Sequence, residues 1–180
     1  MAEKILVIDP EKCTGCRKCE VVCSVFHNGA SNPGRSRIRV IKWENIGLYL
    51  PVTCQNCDDA FCTDVCPAKA CHRDPETNKI VIDGDICIGC KTCIIACPFG
   101  VPFFDKVDHV SVKCDFCDGN PQCVASCETK AIDYVDLHLA NKYRLNEQAR
   151  NLAQLTGYGN EERTPLDMPR GFGIKDIPTV

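Results

Sequence analysis

Short apolar runs recur along most of the chain, each a few residues long and each bounded by polar or turn-forming residues. Ile5, Leu6, Val7 and Ile8 lie between Lys4 and Asp9. Ile80, Val81 and Ile82 precede Asp83, and Val110 and Val112 alternate with His109, Ser111 and Lys113. Further runs fall at 100–104 and 131–135. Runs of this length and β-branched content predict strands. Asp74, Pro75, Glu76, Thr77 and Asn78 have the chemistry of a hairpin turn, with a strand beginning near Cys71. After Val135 the period changes. Leu145, Ala149, Leu152 and Ala153 form a stripe at helical spacing, with Leu155 beside it. Asp136 is placed to cap this helix and Gly157 to stop it. Residues 157–180 hold four glycines and three prolines and show no alternation, so an extended tail follows.

The pattern therefore predicts an α+β fold of short strands and helical turns, with a C-terminal helix and tail over 136–180. Charge adds little: 21 Lys and Arg against 24 Asp and Glu leave −3, no basis for binding nucleic acid. No window of about 18 apolar residues predicts a membrane span. The first ten residues lack a basic region, a long apolar segment and a twin-arginine pair. A cytoplasmic, reducing location is the expectation.

Cysteine changes the picture most. The chain has 17, and 16 of them fall into four groups of four. These are Cys13, Cys16, Cys19, Cys23; Cys54, Cys57, Cys62, Cys66; Cys87, Cys90, Cys93, Cys97; and Cys114, Cys117, Cys123, Cys127. Groups one and three read C-x2-C-x2-C-x3-C, and groups two and four widen the middle gap. This is an internal repeat. In a reducing compartment such thiols bind metal rather than pair as disulfides. Zinc takes four ligands, usually as two separated C-x2-C pairs, and has no use for the triple run. Four [4Fe–4S] clusters fit the pattern, with three thiolates on a loop and the fourth serving a neighbouring cluster. A zinc-binding interaction module is the alternative of another class. Cys66-Pro67 and Cys97-Pro98 match the ending of the bacterial ferredoxin run, whereas Cys23-Ser24 and Cys127-Glu128 depart from it. Gly15 and Gly89 sit inside ligand loops, where a positive φ and close backbone approach are expected.

The remaining residues are less informative. Cys71 reads as a small buried apolar residue. His27, His72, His109 and His138 share no ligand spacing and read as surface or structural. No phosphate loop, nucleophile elbow or acid pair stands out, so no catalytic residue is assigned. Within an insert at 27–53, Arg35, Arg37 and Arg39 alternate. On a strand they would share one face, either a solvated edge or a docking surface for an acidic partner. Trp43, Tyr49 and Leu50 read as the core of the insert.

With these motifs in place, residues 4–135 resemble the four-cluster, polyferredoxin-type electron-transfer subunits of molybdenum and tungsten oxidoreductases. Formate dehydrogenases, dimethyl sulfoxide reductase and the formate hydrogenlyase (hydrogenase) complex contain such subunits. Asn32, Pro33, Gly34, Arg35, Ser36, Arg37, Ile38, Arg39 and Val40, with Thr53, Cys54, Gln55, Asn56 and Cys57, are similar to the iron–sulfur partner of tungsten-dependent aldehyde oxidoreductases. The small subunit of tungsten benzoyl-CoA reductase is related. The resemblance implies two nested bacterial-ferredoxin-like modules, an outer one over 1–26 and 108–135 and an inner one over 54–107. It implies the ligand sets Cys13, Cys16, Cys19, Cys127; Cys114, Cys117, Cys123, Cys23; Cys54, Cys57, Cys62, Cys97; and Cys87, Cys90, Cys93, Cys66. Spacing alone leaves sequential pairing equally open. The implied function is a non-catalytic electron relay. Its partners would be a large tungsten- or molybdenum-pterin catalytic subunit and a ferredoxin or flavin-containing acceptor. Tyr158, Leu166, Met168, Phe172, Ile174 and Ile177 are spaced as anchors for a tail lying on that large subunit or on a further copy of the complex.

Overall fold

A computed structural model describes residues 4–142 together with Leu145, Ala149 and Leu152. The order is β1 (Lys4–Ile8), α1 (Lys18–Asn28), β2 (Arg39–Trp43), β3 (Leu48–Val52), α2 (Phe61–Asp64), β4 (Cys71–Arg73), β5 (Ile80–Ile82), α3 (Thr92–Ala96), β6 (Phe103–Asp105), β7 (Val110–Val112), α4 (Gln122–Ala125) and β8 (Ile132–Asp136). Residues up to Leu137 form one compact unit and those from His138 a second.

In the first unit the strands pair as four antiparallel two-stranded sheets: β1 with β8, β2 with β3, β4 with β5, and β6 with β7. β1 and β8 join the two ends of the unit, Lys4 opposite Asp136 and Ile8 opposite Ile132. α1 packs on α4, and α2 on α3. A two-stranded sheet is marginal alone, and so is a helix of one turn. The conventional core is thin to match. Leu6, Ile38, Val40, Phe116 and Ile132 pack with the thiols of Cys19, Cys23, Cys114 and Cys123. A smaller cluster joins Ala60, Cys71 and Ile80 to Cys62, Cys66 and Ile82. Sulfur occupies positions that leucine or valine would fill in an ordinary domain.

Most of the expected strands form, and the turn at 74–78 closes the β4–β5 hairpin, with Asp74 N–H donating to the Lys79 carbonyl at 2.8 Å. The strand expected over 100–104 lies at Phe103–Asp105, because Gly100 turns at a φ of 61° first. The insert differs more. Trp43 is 41 % exposed rather than core, and Tyr49 is the aromatic that packs inward.

The three arginines share no strand face. Arg35 ends a 3-10 turn, Arg37 precedes β2 and Arg39 starts it. Each is satisfied within the protein. Arg35 donates to Asp105 (2.7 Å) and Asp108 (2.6 Å), and Arg37 to Asp115 (2.5 Å). Arg39 donates to the Gly34 carbonyl (3.0 Å) and lies over the Phe103 ring (4.6 Å). They hold the insert onto the body instead of forming a free basic edge.

Asp136 is the last residue of β8, and the helix begins at the next residue, Leu137. In the second unit residues 138–142, Leu145, Ala149 and Leu152 are helical, in agreement with the predicted stripe. Ala153, Leu155, the stop at Gly157 and the anchors from Tyr158 to Ile177 lie outside the described residues.

Candidate metal centre

The cysteine groups repeat in backbone shape as well as in sequence. In group one Gly15 and Arg17 are left-handed, with φ of 68° and 62°. In group three the matching Gly89 and Lys91 have 67° and 65°. The third cysteine of each run, Cys19 or Cys93, then sits in the first turn of α1 or α3. Group two uses Asn56 (48°), and group four uses Phe116, Cys117 and Asp118 (61°, 47° and 54°). Left-handed residues in each loop turn its backbone sharply around the thiols.

The segments after the fourth cysteines also match. Lys69, Gly100 and Lys130 each stand three residues beyond Cys66, Cys97 or Cys127 with positive φ. Each returns its N–H to that cysteine's carbonyl, at 3.2, 3.1 and 3.4 Å. Cys23 lacks this turn because α1 continues to Asn28.

The two departures from the ferredoxin pattern have structural uses. Ser24 is fully buried and accepts from Asn32 N–H at 3.0 Å, which fixes the start of the insert. Glu128 pairs with Lys18, tying group four to group one.

Gly15 and Gly89 have no room for a side chain. A Cβ at Gly15 would stand 2.6 Å from the Tyr49 ring, and one at Gly89 would stand 2.8 Å from the His109 carbonyl oxygen.

Three cavities are lined by thiols, four in two of them and five in the third. One holds Cys13, Cys16, Cys19 and Cys127. A second holds Cys54, Cys57, Cys62 and Cys97, with Lys113. The third holds Cys66, Cys87, Cys90 and Cys93, with Cys71. All three are mainly apolar and walled by thiols, so one kind of occupant suits all three. Cys23, Cys114, Cys117 and Cys123 make a fourth, buried set. Burial pushes the Cys123 thiol up, and the neighbouring Cys114, Cys117 and Cys23 push it the same way.

All seventeen cysteines are free, which removes the disulfide reading. The spacing between sulfurs decides between zinc and a larger group. Around one tetrahedral zinc, four sulfurs at about 2.3 Å from the metal stand only about 3.8 Å apart. Among the described residues no three cysteine sulfurs lie within 4.8 Å of one another. The one such group is His27, Asp115 and Cys117. Four divergent thiols around an apolar space fit a polynuclear iron–sulfur cluster.

Backbone donors already face the sulfurs that a cluster would make anionic. Arg37 N–H points to Cys23, Cys71 N–H to Cys66 and Ala131 N–H to Cys127, each at 3.3 Å. Thr92 Oγ1 stands 3.4 Å from Cys90. Burial pushes Cys19 up to about 12 and Cys114 up to about 11, so both are neutral thiols until a metal displaces their protons.

Several residues of this environment carry no sequence signal. Lys113 is buried, with its Nζ 3.5 Å from Cys54 Sγ. His27 is not a surface residue. Its side chain is 10 % exposed, with Nε2 3.5 Å from Asp115 and 3.7 Å from Cys117 Sγ. Burial and then Arg37 hold it below the usual histidine range. Cys71 is buried as expected, and its thiol also hydrogen-bonds Cys62, which lowers Cys62 below the usual thiol range.

Comparison with known proteins agrees with this chemistry. The model of the 4Fe-4S dicluster domain family matches residues 46–137, and that of a 4Fe-4S binding domain matches residues 5–30. The protein is 40 % identical over 136 residues to the polyferredoxin-like subunit of an aliphatic sulfonate oxidoreductase from Pyrococcus furiosus, covering 76 % of its own length and 78 % of the relative's. It is 34 % identical over 145 residues to a subunit of the anaerobic dimethyl sulfoxide reductase of Escherichia coli, covering 71 % and 70 %. One subunit in the BamBC active-site complex of benzoyl coenzyme A reductase is 28 % identical, with 75 % and 79 % covered and a TM-score of 0.45. No helix among the described residues is long and apolar enough to cross a membrane. The protein belongs to the 4Fe-4S dicluster family, the ferredoxin-type iron–sulfur electron-transfer subunits of oxidoreductase complexes.

Proposed function

We propose that this protein is a non-catalytic relay holding four [4Fe–4S] clusters. It would connect a tungsten- or molybdenum-pterin catalytic subunit, aldehyde-oxidising in the first reading, to a ferredoxin or a flavin-containing acceptor. The observation that carries the reading is the gathering of thiols from distant groups around apolar cavities. When bound, such clusters take up and release single electrons, which divides a two-electron oxidation into two transfers.

The ligand sets are Cys13, Cys16, Cys19 and Cys127, and Cys114, Cys117, Cys123 and Cys23, in an outer module over 1–26 and 108–135. In the inner module, over 54–107, they are Cys54, Cys57, Cys62 and Cys97, and Cys87, Cys90, Cys93 and Cys66. The β1–β8 pairing and the α1–α4 packing support the outer set, and the α2–α3 packing supports the inner one. The insert at 27–53 is a brace, fixed to the body by Arg35 and Arg37.

The protein's own residues shape the relay. Loop amides and Thr92 stabilise anionic sulfur, apolar walls limit water, and the buried positions of Cys19, Cys23, Cys114 and Cys123 shield the outer sites. The Pyrococcus relative supports a second reading for the partner's substrate, an aliphatic sulfonate.

Anaerobic pull-down of the tagged full-length protein, with metal analysis, tests the assignment. The expected result is a large subunit containing tungsten or molybdenum. Recovery of the protein alone, fully loaded with iron, would make it a free-standing carrier.

A further inference from the structure

Lys113 is the only buried cation among the described residues, at 4 % exposure. Its ammonium donates to Cys54 Sγ at 3.5 Å, to the Cys114 carbonyl at 3.0 Å and to the Ile80 carbonyl. Among the described residues it forms no ion pair with a carboxylate. Other cations near the thiol sets are paired or stand nearer to solvent: Arg73 donates to the Cys57 and Asp58 carbonyls, and the exposed Lys91 lies over the Phe104 ring. Arg17 pairs with Glu20 and Lys18 with Glu128, both beside the cavity of Cys13, and Arg37 pairs with Asp115 beside Cys117. The cavity of Cys66, Cys87, Cys90 and Cys93 has no charged residue in its wall. Lys113 is thus the buried cation that touches a thiol directly; the carboxylates that share its cleft, Asp115 and Asp118, form no ion pair with it.

We propose that Lys113 makes the site of Cys54, Cys57, Cys62 and Cys97 the highest-potential station of the relay, the one where an electron rests. The proposal depends on the four-site reading above. A buried positive charge favours whichever state carries the extra electron, and a hydrogen bond to a ligand sulfur acts in the same direction. The low effective dielectric of the interior keeps the effect large, because water screens a buried ammonium poorly.

Position adds to the argument. The ammonium spans Cys54 of the inner module and Cys114 of the outer one, so it stands at the joint that an electron crosses between them. Two carbonyls hold it there, which makes Lys113 a strut as well. A strut alone would leave the potentials unchanged once iron is bound.

The test is an anaerobic redox titration of the full-length protein, followed by electron paramagnetic resonance. A Cys97→Ser variant identifies the couple that belongs to this site. In Lys113→Met, the ratio of reduced to oxidised centre in that couple should fall on the order of tenfold at fixed potential, about 59 mV for one electron. Lys113→Arg should retain the wild-type value, and the exposed Lys42→Met should shift none. Val81 lines a cleft shared with Lys113, so Val81→Glu sets a carboxylate beside the ammonium and should lower the same couple. Unchanged couples in an iron-replete Lys113→Met overturn the proposal. If that variant loses iron, unchanged couples in Val81→Glu overturn it instead. Wild-type protein with about 8 iron would refute the four-site reading, whereas unmoved potentials at about 16 iron refute only the role of Lys113.

Discussion

Gly89→Ala is a sharp probe of the ligand loops because two separable costs meet at one methyl group. Gly89 has a φ of 67°, and its Cβ would stand 2.8 Å from the His109 carbonyl oxygen and 3.1 Å from the Phe104 ring. The left-handed conformation costs an alanine about 1–2 kcal/mol. Intrusion on a backbone oxygen that cannot swing aside adds about 1–3 kcal/mol, the usual range for overpacking. The total is about 2–5 kcal/mol, or about 4–20 °C in the unfolding midpoint of a protein this size.

Gly47 separates the two contributions. Its φ is also 67°, and nothing lies within 4 Å of its Cβ position, so Gly47→Ala should cost only the conformational part, about 1–2 kcal/mol. Gly15→Ala should fall between them, because its Cβ meets a tyrosine side chain that can shift. The assay is thermal bleaching near 400 nm under argon, together with iron per protein molecule. Gly89→Ala should also lose iron from the site of Cys66, Cys87, Cys90 and Cys93, while Gly47→Ala loses none. Equal midpoints and equal iron in the two variants would refute the argument from loop geometry.

Cys127→Ser should disturb the site of Cys13, Cys16 and Cys19, over 100 residues earlier, more than the site of Cys114, Cys117 and Cys123. Spectra with the reverse order would mean that group four closes on itself. Because burial raises Cys19 to about 12 and Cys114 to about 11, these thiols are protonated at neutral pH and must release protons to bind iron. Cluster assembly on the iron-free protein should therefore improve from pH 7 to pH 9 and fail as pH drops. A flat profile, at constant iron and sulfide supply, would contradict this. Truncation after Asp136, where β8 ends, should keep the iron and the dithionite-bleachable colour but weaken co-purification with a large subunit. A truncated protein that assembles normally would make the C-terminal segment dispensable.

The legible and illegible parts of this molecule differ in the range over which they act. β1, β5, β7 and β8 are legible because each is a short apolar run, and the β4–β5 turn because Asp74 and Asn78 carry turn chemistry. The positive φ of Gly15 and Gly89 follows from the tight ligand loops, whose geometry is also local. Arg35 and Arg37 mimic a strand face in sequence because their carboxylate partners stand 70 and 78 positions away, and an ion pair leaves no periodic trace. The size of Trp43 argues for the interior, yet the β2–β3 hairpin turns Tyr49 inward instead. Lys113 looks in sequence like the polar end of a strand. Only the approach of Cys54, 59 positions earlier, shows that its ammonium is buried beside sulfur. The cysteine groups are plain from spacing, whereas the company each group keeps depends on how the chain returns on itself.

The central claim, that this protein holds four [4Fe–4S] clusters as a relay, is tested most directly by counting. Iron and acid-labile sulfide are measured per molecule on protein purified without oxygen, and the same sample is titrated with dithionite. The account predicts about 16 iron, about 16 sulfide and about four electrons taken up. A folded, reconstituted protein that holds about 8 iron and takes up about two electrons would contradict it.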